Sequence, residues 1–210
     1  MRTLLGLLLP LLLAGCVSTP NLPPMQYFVL GNGVETAGQE TATARPASLG
    51  SPRVLLLNPT SVSAFYDTQR LVYSRTEGQR AYYQFAAWTE RPGRAFSDLL
   101  SRRLGASSTT SGIKGDLILH TRLEELYHDA GANPGAVKIA VSADLVDAAG
   151  RLIGERRRFV RSVPVSGENA AAAVEAANRA VAEVLDEIAA WVEGPRPRPA
   201  TIERVSVPSH

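Results

Sequence analysis

From Asp116 to Tyr127 apolar and polar residues alternate: Leu117, Leu119, Thr121 and Leu123 fall on one side, His120, Arg122 and Glu124 on the other. The same alternation runs from Ala136 to Ala148, where Val137, Ile139, Val141, Ala143 and Leu145 oppose Lys138, Ser142 and Asp144. A period of two predicts strands with one buried and one solvated face. Residues 130–135 and 148–150 are rich in Gly, Ala, Asn and Pro, so these strands are predicted to pair antiparallel, with Leu152 to Val165 as a third. Upstream, Gln26–Leu30 and Val54–Leu57 read as strands, and Leu71–Ser74 with Ala81–Phe85 reads as a hairpin around Glu77-Gly78-Gln79.

Two segments switch to helical spacing. Phe96, Leu99, Leu100 and Leu104 form one stripe between a predicted N-cap at Thr89 and a stop at Gly105. The last element, Asn169 to Val192, carries Val174, Ala177, Val181, Val184, Leu185, Ile188 and Trp191 on one side. Glu175, Arg179 and Glu183 stand four apart on the other, in ion-pair register. The predicted class is α+β: a mixed, largely antiparallel sheet with two amphipathic helices packed on one face. One domain is expected over residues 26–192, with a mobile loop over 31–53 and a disordered Pro/Arg tail over 193–210.

The first sixteen residues set the cellular context. Met1-Arg2-Thr3 precedes an apolar run from Leu4 to Leu13, which is too short for the ~20 residues of a spanning helix. A short positive start, a short apolar run and small residues make a secretory signal over residues 1–15. Leu13-Ala14-Gly15-Cys16 resembles the bacterial lipobox, in which the cysteine thiol is acylated, with palmitate for example, and becomes the new N-terminus. Cys16 is the sole cysteine of the chain, and it stands at the position that modification requires. In Gram-negative lipoproteins an aspartate after the cysteine favours retention in the inner membrane; Val17 leans toward the outer membrane. Residues 16–25 form a stalk: from Val17 to Pro24 the chain is too proline-rich for a helix and reaches at most about 28 Å.

Composition narrows the chemistry further. The 210 residues carry 22 Lys and Arg against 20 Asp and Glu, a formal charge of +2, which argues against a nucleic-acid binder. A single cysteine excludes an intrachain disulfide and any multi-cysteine metal site. No nucleophile elbow and no phosphate-binding loop is found, and Gly31-Asn32-Gly33 lacks the third glycine of a dinucleotide cradle. His120, Glu124 and His128 would share a strand face, yet eight residues at ~3.3 Å place the histidines roughly 26 Å apart. One ion needs its ligands within ~2–2.5 Å, so these residues read as solvated strand positions. Glu124 and Glu125 face opposite ways and make no acid/base couple. The expectation is a protein without catalytic site, metal or cofactor.

Two surface candidates remain. Arginines 156, 157, 158 and 161 form the densest charge cluster, with Arg156 and Arg158 on one strand face and Arg157 and Arg161 on the other. They read either as protection of an edge strand or solvated faces, or as contacts to lipid phosphates or an acidic partner. The aromatic group Phe65, Tyr66, Tyr73, Tyr82, Tyr83, Phe85 and Trp88 reads mostly as core, with part of it free to face a partner.

The lipobox, the stalk into Gln26-Tyr27-Phe28-Val29-Leu30 and the run Val54-Leu55-Leu56-Leu57-Asn58-Pro59 resemble the ABC-type transport auxiliary lipoproteins. So do the stretch from Tyr66-Asp67 to Leu71-Val72-Tyr73 and Trp88-Thr89-Glu90-Arg91-Pro92 ahead of the helix. Ser74 before Arg75 is a small departure, since the family's arginine usually comes one position earlier. The resemblance spans residues 26 to 192. It implies a non-catalytic, lipid-anchored periplasmic subunit of a system, Pqi-type ones included, that moves lipids or other hydrophobic compounds between the two membranes. The implied partners are an MCE-domain protein with its ABC permease and ATPase; a homo-oligomer is left open. The candidate partner-binding residues are Phe65, Tyr66, Leu71, Tyr73, Arg156 and Arg158, and Cys16 is the lipid attachment site. The alternative is a structural envelope lipoprotein assisting outer-membrane or cell-wall assembly.

Overall fold

The segments of period two become the longest strands of the protein. The computed structural model describes residues 22–31 and 53–194. Its elements are β1 (Gln26–Phe28), β2 (Leu55–Leu57), β3 (Ser61–Val62), β4 (Arg70–Ser74), β5 (Ala81–Trp88), α1 (Pro92–Leu104), β6 (Ser107–Ser108), β7 (Leu117–Asp129), β8 (Ala136–Asp147), β9 (Arg157–Pro164) and α2 (Ala170–Glu193). A 3-10 turn, Ala64–Tyr66, links β3 to β4. The expected signal over 1–15, Cys16, most of the stalk over 16–25, the loop apart from Gly31 and Arg53, and the tail beyond Gly194 lie outside the described residues.

Strand β7 organises the sheet. One edge pairs antiparallel with β8 from Leu117 to Asp129, and β8 pairs antiparallel with β9. The other edge takes three strands in series, all parallel: β2 at Leu117–Leu119, β3 at Arg122 and Leu123, and β4 at His128 and Asp129. Strand β6 extends β2, and β5 followed by β1 extends β4. The parallel ladders are short and the long ladders antiparallel, so the sheet is mixed and largely antiparallel, as its pattern predicts.

Both helices cover the same sheet face. The stripe of α2 lies on β8 and β9 and meets α1. Phe96 and Leu100 of α1 interlock with Leu119, Val141, Val181 and Ile188 in a single cluster, each at most 1% exposed. Each such side chain contributes about 1.5–3 kcal/mol by leaving water. Asn169 caps α2, its Oδ1 accepting the Ala172 N–H at 2.9 Å. Gly105, at φ 60°, closes α1 in the left-handed conformation expected of a C-terminal glycine.

Several boundaries differ from the sequence expectation, each for a visible reason. Helix α1 begins at Pro92 with Arg91 at the N-cap, because Thr89 is still held by the sheet: its N–H donates to the Phe28 carbonyl at 2.8 Å. The third meander strand begins at Arg157, with Leu152 making only an isolated bridge to Val146 ahead of a turn at Gly154. Glu183 does not continue the Glu175–Arg179 pair (2.9 Å); it faces Arg161 of β9 at 3.4 Å. Glu193 closes α2 rather than opening the tail. The largest difference is a bulge in β7. Leu123 opposes Val141 while Glu125 opposes Ala140, so Glu124 is an extra residue and the alternation flips after it. Leu126 and His128 thereby turn toward the helices, and His128, expected on the solvated face, is 4% exposed.

Candidate functional site

The sheet face opposite the helices carries no helix among the described residues, and its aromatic end is built around the 3-10 turn. Tyr66 from that turn, Val72 from β4 and Tyr127 from β7 form a second, smaller apolar cluster, with Val62 and Tyr82 against it. The Phe65 ring stacks on Tyr82 with centroids 5.0 Å apart and planes 8° from parallel, and meets Tyr66 edge-on at 5.7 Å. The Arg80 guanidinium lies 3.7 Å over the Tyr127 ring and its Nε donates to the Tyr66 hydroxyl at 3.0 Å. Burial raises the Tyr66 pKa, and the Arg80 bond only partly opposes it, so the phenol is neutral and free to accept that bond. Phe65, 41% exposed, is the tip of this cluster; Tyr66, 9% exposed, supports it.

The structure brings some of the sequence candidates together and separates others. Leu71 and Tyr73 alternate with Val72 along β4 and point to the helix side. Leu71 is 3% exposed in the main core, and Tyr73 packs on Tyr83 at 5.1 Å with the Arg75 guanidinium 5.5 Å over its ring. Arg156 and Arg158 share the open face with Phe65 and Tyr66, but each is already paired. Arg156 grips Asp144 with two bonds of 2.6 Å, and Arg158 Nε donates to Glu124 at 2.6 Å. The Arg156 bonds hold the Asp144 carboxyl below its usual range. Partial burial pushes Glu124 up, and its bonds to Arg158 and Ser142 more than offset this, so it too lies low.

On the helix side Arg161 reaches α2, pairing with Glu183 and Glu187. Its Nη1 also takes the Val160 carbonyl at 2.7 Å, and Arg179 Nη2 takes the Pro164 carbonyl at 3.0 Å. Val165 N–H bonds to Gly135, so alternation turns the backbone groups of residues 160 and 164 away from β8, toward the outer edge of β9. Two outward carbonyls are capped by arginines, and Pro164 has no N–H to offer. Of the four arginines in the sequence cluster, Arg161 alone caps such a carbonyl; Arg179 comes from α2.

Arg80 and Tyr127 are the parts of the aromatic cluster that the sequence pattern did not single out. Tyr127 comes to the open face only because the β7 bulge shifts the phase, and a bulge leaves no mark in binary patterning. Among the described residues, two hollows in the surface hold no catalytic constellation. A groove of about 590 Å³ beside the start of α1 is lined by Thr60, Arg91, Asp67 and Ser97, whose polar groups satisfy one another. A cavity of about 20 Å³ beside His128, Tyr83 and Leu126 has room for roughly one water and none for an acyl chain. Among the described residues no three His, Cys, Asp or Glu side chains converge to hold a metal ion, and no helix is long and apolar enough to cross a membrane.

Comparison with known proteins agrees with this architecture. The family model described as "ABC-type transport auxiliary lipoprotein component" matches residues 36–189. The crystal structure of protein XCC0632 from Xanthomonas campestris, of family DUF330, superposes with a TM-score of 0.64 at 23% identity, covering 70% of this chain and 87% of that one. A crystal structure of an uncharacterized protein superposes with a TM-score of 0.61 at 16% identity, covering 81% and 99%. Both share the fold. The comparison with curated proteins returned no match.

Proposed function

Since the chain belongs to the ABC-type transport auxiliary lipoprotein components, we propose that it is a non-catalytic, lipid-anchored subunit of an ABC system that works with an MCE-domain protein. Its cargo class is lipids or other hydrophobic compounds passing between the inner and outer membranes. Its anchor is Cys16 and its site the periplasmic side of the outer membrane. The family match over residues 36–189 carries this reading.

The protein acts by docking. Its partner surface is the open sheet face, with Phe65 as the projecting anchor, Tyr66 and Arg80 as its support, and Arg156 and Arg158 as a charged flank. Rigid aromatics that project from a packed base make good interface anchors, and truncating one costs over ~1 kcal/mol at a hot spot. A photo-crosslinking residue at position 65, used in intact cells, tests the proposal. The expected product is an MCE-domain protein or its permease, and Phe65→Ala should reduce co-purification of that partner by about fivefold or more. Recovery only with cell-wall or outer-membrane assembly proteins would replace transport with a structural role in the envelope.

A further inference from the structure

Four of the nine large hydrophobic residues exposed among the described residues fall within eight consecutive positions: Leu22 (64%), Met25 (42%), Tyr27 (66%) and Val29 (52%). Isolated exposed apolar residues are ordinary; a run of them beside a membrane anchor is not. Strand β1 explains the pattern geometrically. Phe28 and Leu30 turn into the core beneath the helices, and Tyr27 and Val29 alternate to the opposite side. On that side Tyr27 is in register with Ala87, and Ala87 with Arg70. The three make one row across β1, β5 and β4, with only a methyl group between the phenol and the arginine. Arg70 is exposed, its guanidinium 4.5 Å over the Tyr82 ring.

The chain before this strip limits its distance from the membrane. Leu22 lies six residues after Cys16, so an acyl anchor there keeps Leu22 within about 22 Å of the bilayer. Exposed aliphatic side chains, a tyrosine with an apolar ring and a polar tip, and an arginine able to meet phosphate form the composition of a surface that rests at the headgroup layer. We propose that the β1 edge, comprising Leu22, Met25, Tyr27 and Val29 with Arg70 beside them, lies against the phospholipid headgroups of the membrane that holds the acyl chain of Cys16. This rests on the acylation of Cys16 and adds a second contact to it. A lipid anchor on a stalk holds the protein at the membrane without setting its orientation, and a second contact fixes that orientation. Tyr82 and Phe65 continue the same face beyond Arg70, so the contact would hold the docking surface at a set height and angle.

The test uses the full acylated chain with vesicles of phosphatidylethanolamine and phosphatidylglycerol carrying brominated acyl chains. Tyr27→Trp places a fluorophore in the strip, and Leu152→Trp places one at another exposed position outside it (66% and 52% exposed); Trp88 and Trp191 give the same background in both. The expected result is quenching severalfold greater at position 27 than at position 152, reduced by Arg70→Glu. Equal quenching at the two positions, or none at 27, overturns the proposal. If the N-terminal mass shows no acyl chain, preferential quenching at 27 still supports a membrane-facing edge, and its absence still overturns it. Crosslinking at Phe65 reports separately on the docking partner.

Discussion

The Tyr83 hydroxyl lies 2.6 Å from Nδ1 of His128, both on the helix side of the sheet. Burial pushes the His128 pKa down, with the neighbouring Asp129 carboxylate only partly opposing it. Burial also raises the Tyr83 pKa, so a neutral phenol faces a neutral imidazole. Either group can donate, and the bond outlasts protonation because imidazolium Nδ1–H can donate to the phenol oxygen. What protonation costs is the burial of a charge.

This pair gives a pH dependence whose sign is fixed. The unfolded histidine, with a pKa of about 6.5, takes up a proton before the folded one does, so stability falls as pH drops below that value. The paired carboxylates Asp129, Asp144 and Glu124 are all held low, and their contributions are lost only in the carboxylate range, near pH 4 and below. The melting temperature should therefore fall between about pH 7 and 5.5 in the wild type, and stay nearly flat over that window in His128→Gln, which keeps a partner for Tyr83. Parallel slopes in the two proteins would assign the dependence elsewhere.

His128 also marks where the sequence stops being legible. The alternation in β8 and in β7 as far as Leu123, the two helical stripes and the glycine stop at Gly105 all follow from local rules, and the structure follows them. Glu124 defeats the pattern because a bulge is a matter of pairing between strands, invisible to a period counted along one of them. The same limit hides the pairing of Arg161 with α2, the Arg80–Tyr66–Tyr127 cluster and the separation of Leu71 and Tyr73 from Phe65 and Tyr66. Each depends on which strand lies beside which. The parallel entry of β2, β3 and β4 onto one edge of β7 is likewise a non-local fact.

Gly31 ties the end of the N-terminal strand to both helices. Its φ is 87°, a Cβ there would stand 2.5 Å from a Leu99 methyl carbon, and its N–H donates to Asn178 Oδ1 at 2.8 Å. Gly31→Val combines left-handed strain with overpacking, and should cost about 2–4 kcal/mol. Asn178→Ala removes the acceptor alone, and should cost about 1–2 kcal/mol. Urea melts of both variants check the order; a neutral Gly31→Val would show that the segment leaves the helices at little cost.

Cys16 is expected to carry the anchor. Cys16→Ser should move the protein from the membrane fraction to the soluble periplasmic fraction, and the wild-type mature chain should begin at residue 16 with an acyl mass added. The folded domain should keep its melting temperature, since its described core is built from residues 28–192. Unchanged membrane association together with an acyl-free N-terminus would remove the lipoprotein assignment for this residue.

The capped edge of β9 yields the last prediction. Arg161 and Arg179 occupy the carbonyls of Val160 and Pro164, which would otherwise be free to accept hydrogen bonds from another strand. The ion pairs of both arginines are partly solvent-exposed, so replacing either by Ala should cost at most about 1 kcal/mol of stability. The effect on association should be larger than the effect on folding. With the carbonyls uncovered, the Arg158–Ser162 stretch becomes an open edge carrying Val160, 46% exposed, and two such edges can pair antiparallel across a two-fold axis. Arg161→Ala/Arg179→Ala should therefore sediment as a concentration-dependent dimer or larger species under conditions where the wild type shows less association. Arg157→Ala, on the same strand but capping neither carbonyl, should leave the wild-type distribution unchanged. If the double variant and Arg157→Ala behave alike, the arginines are surface charge and the edge is guarded by Pro164 alone.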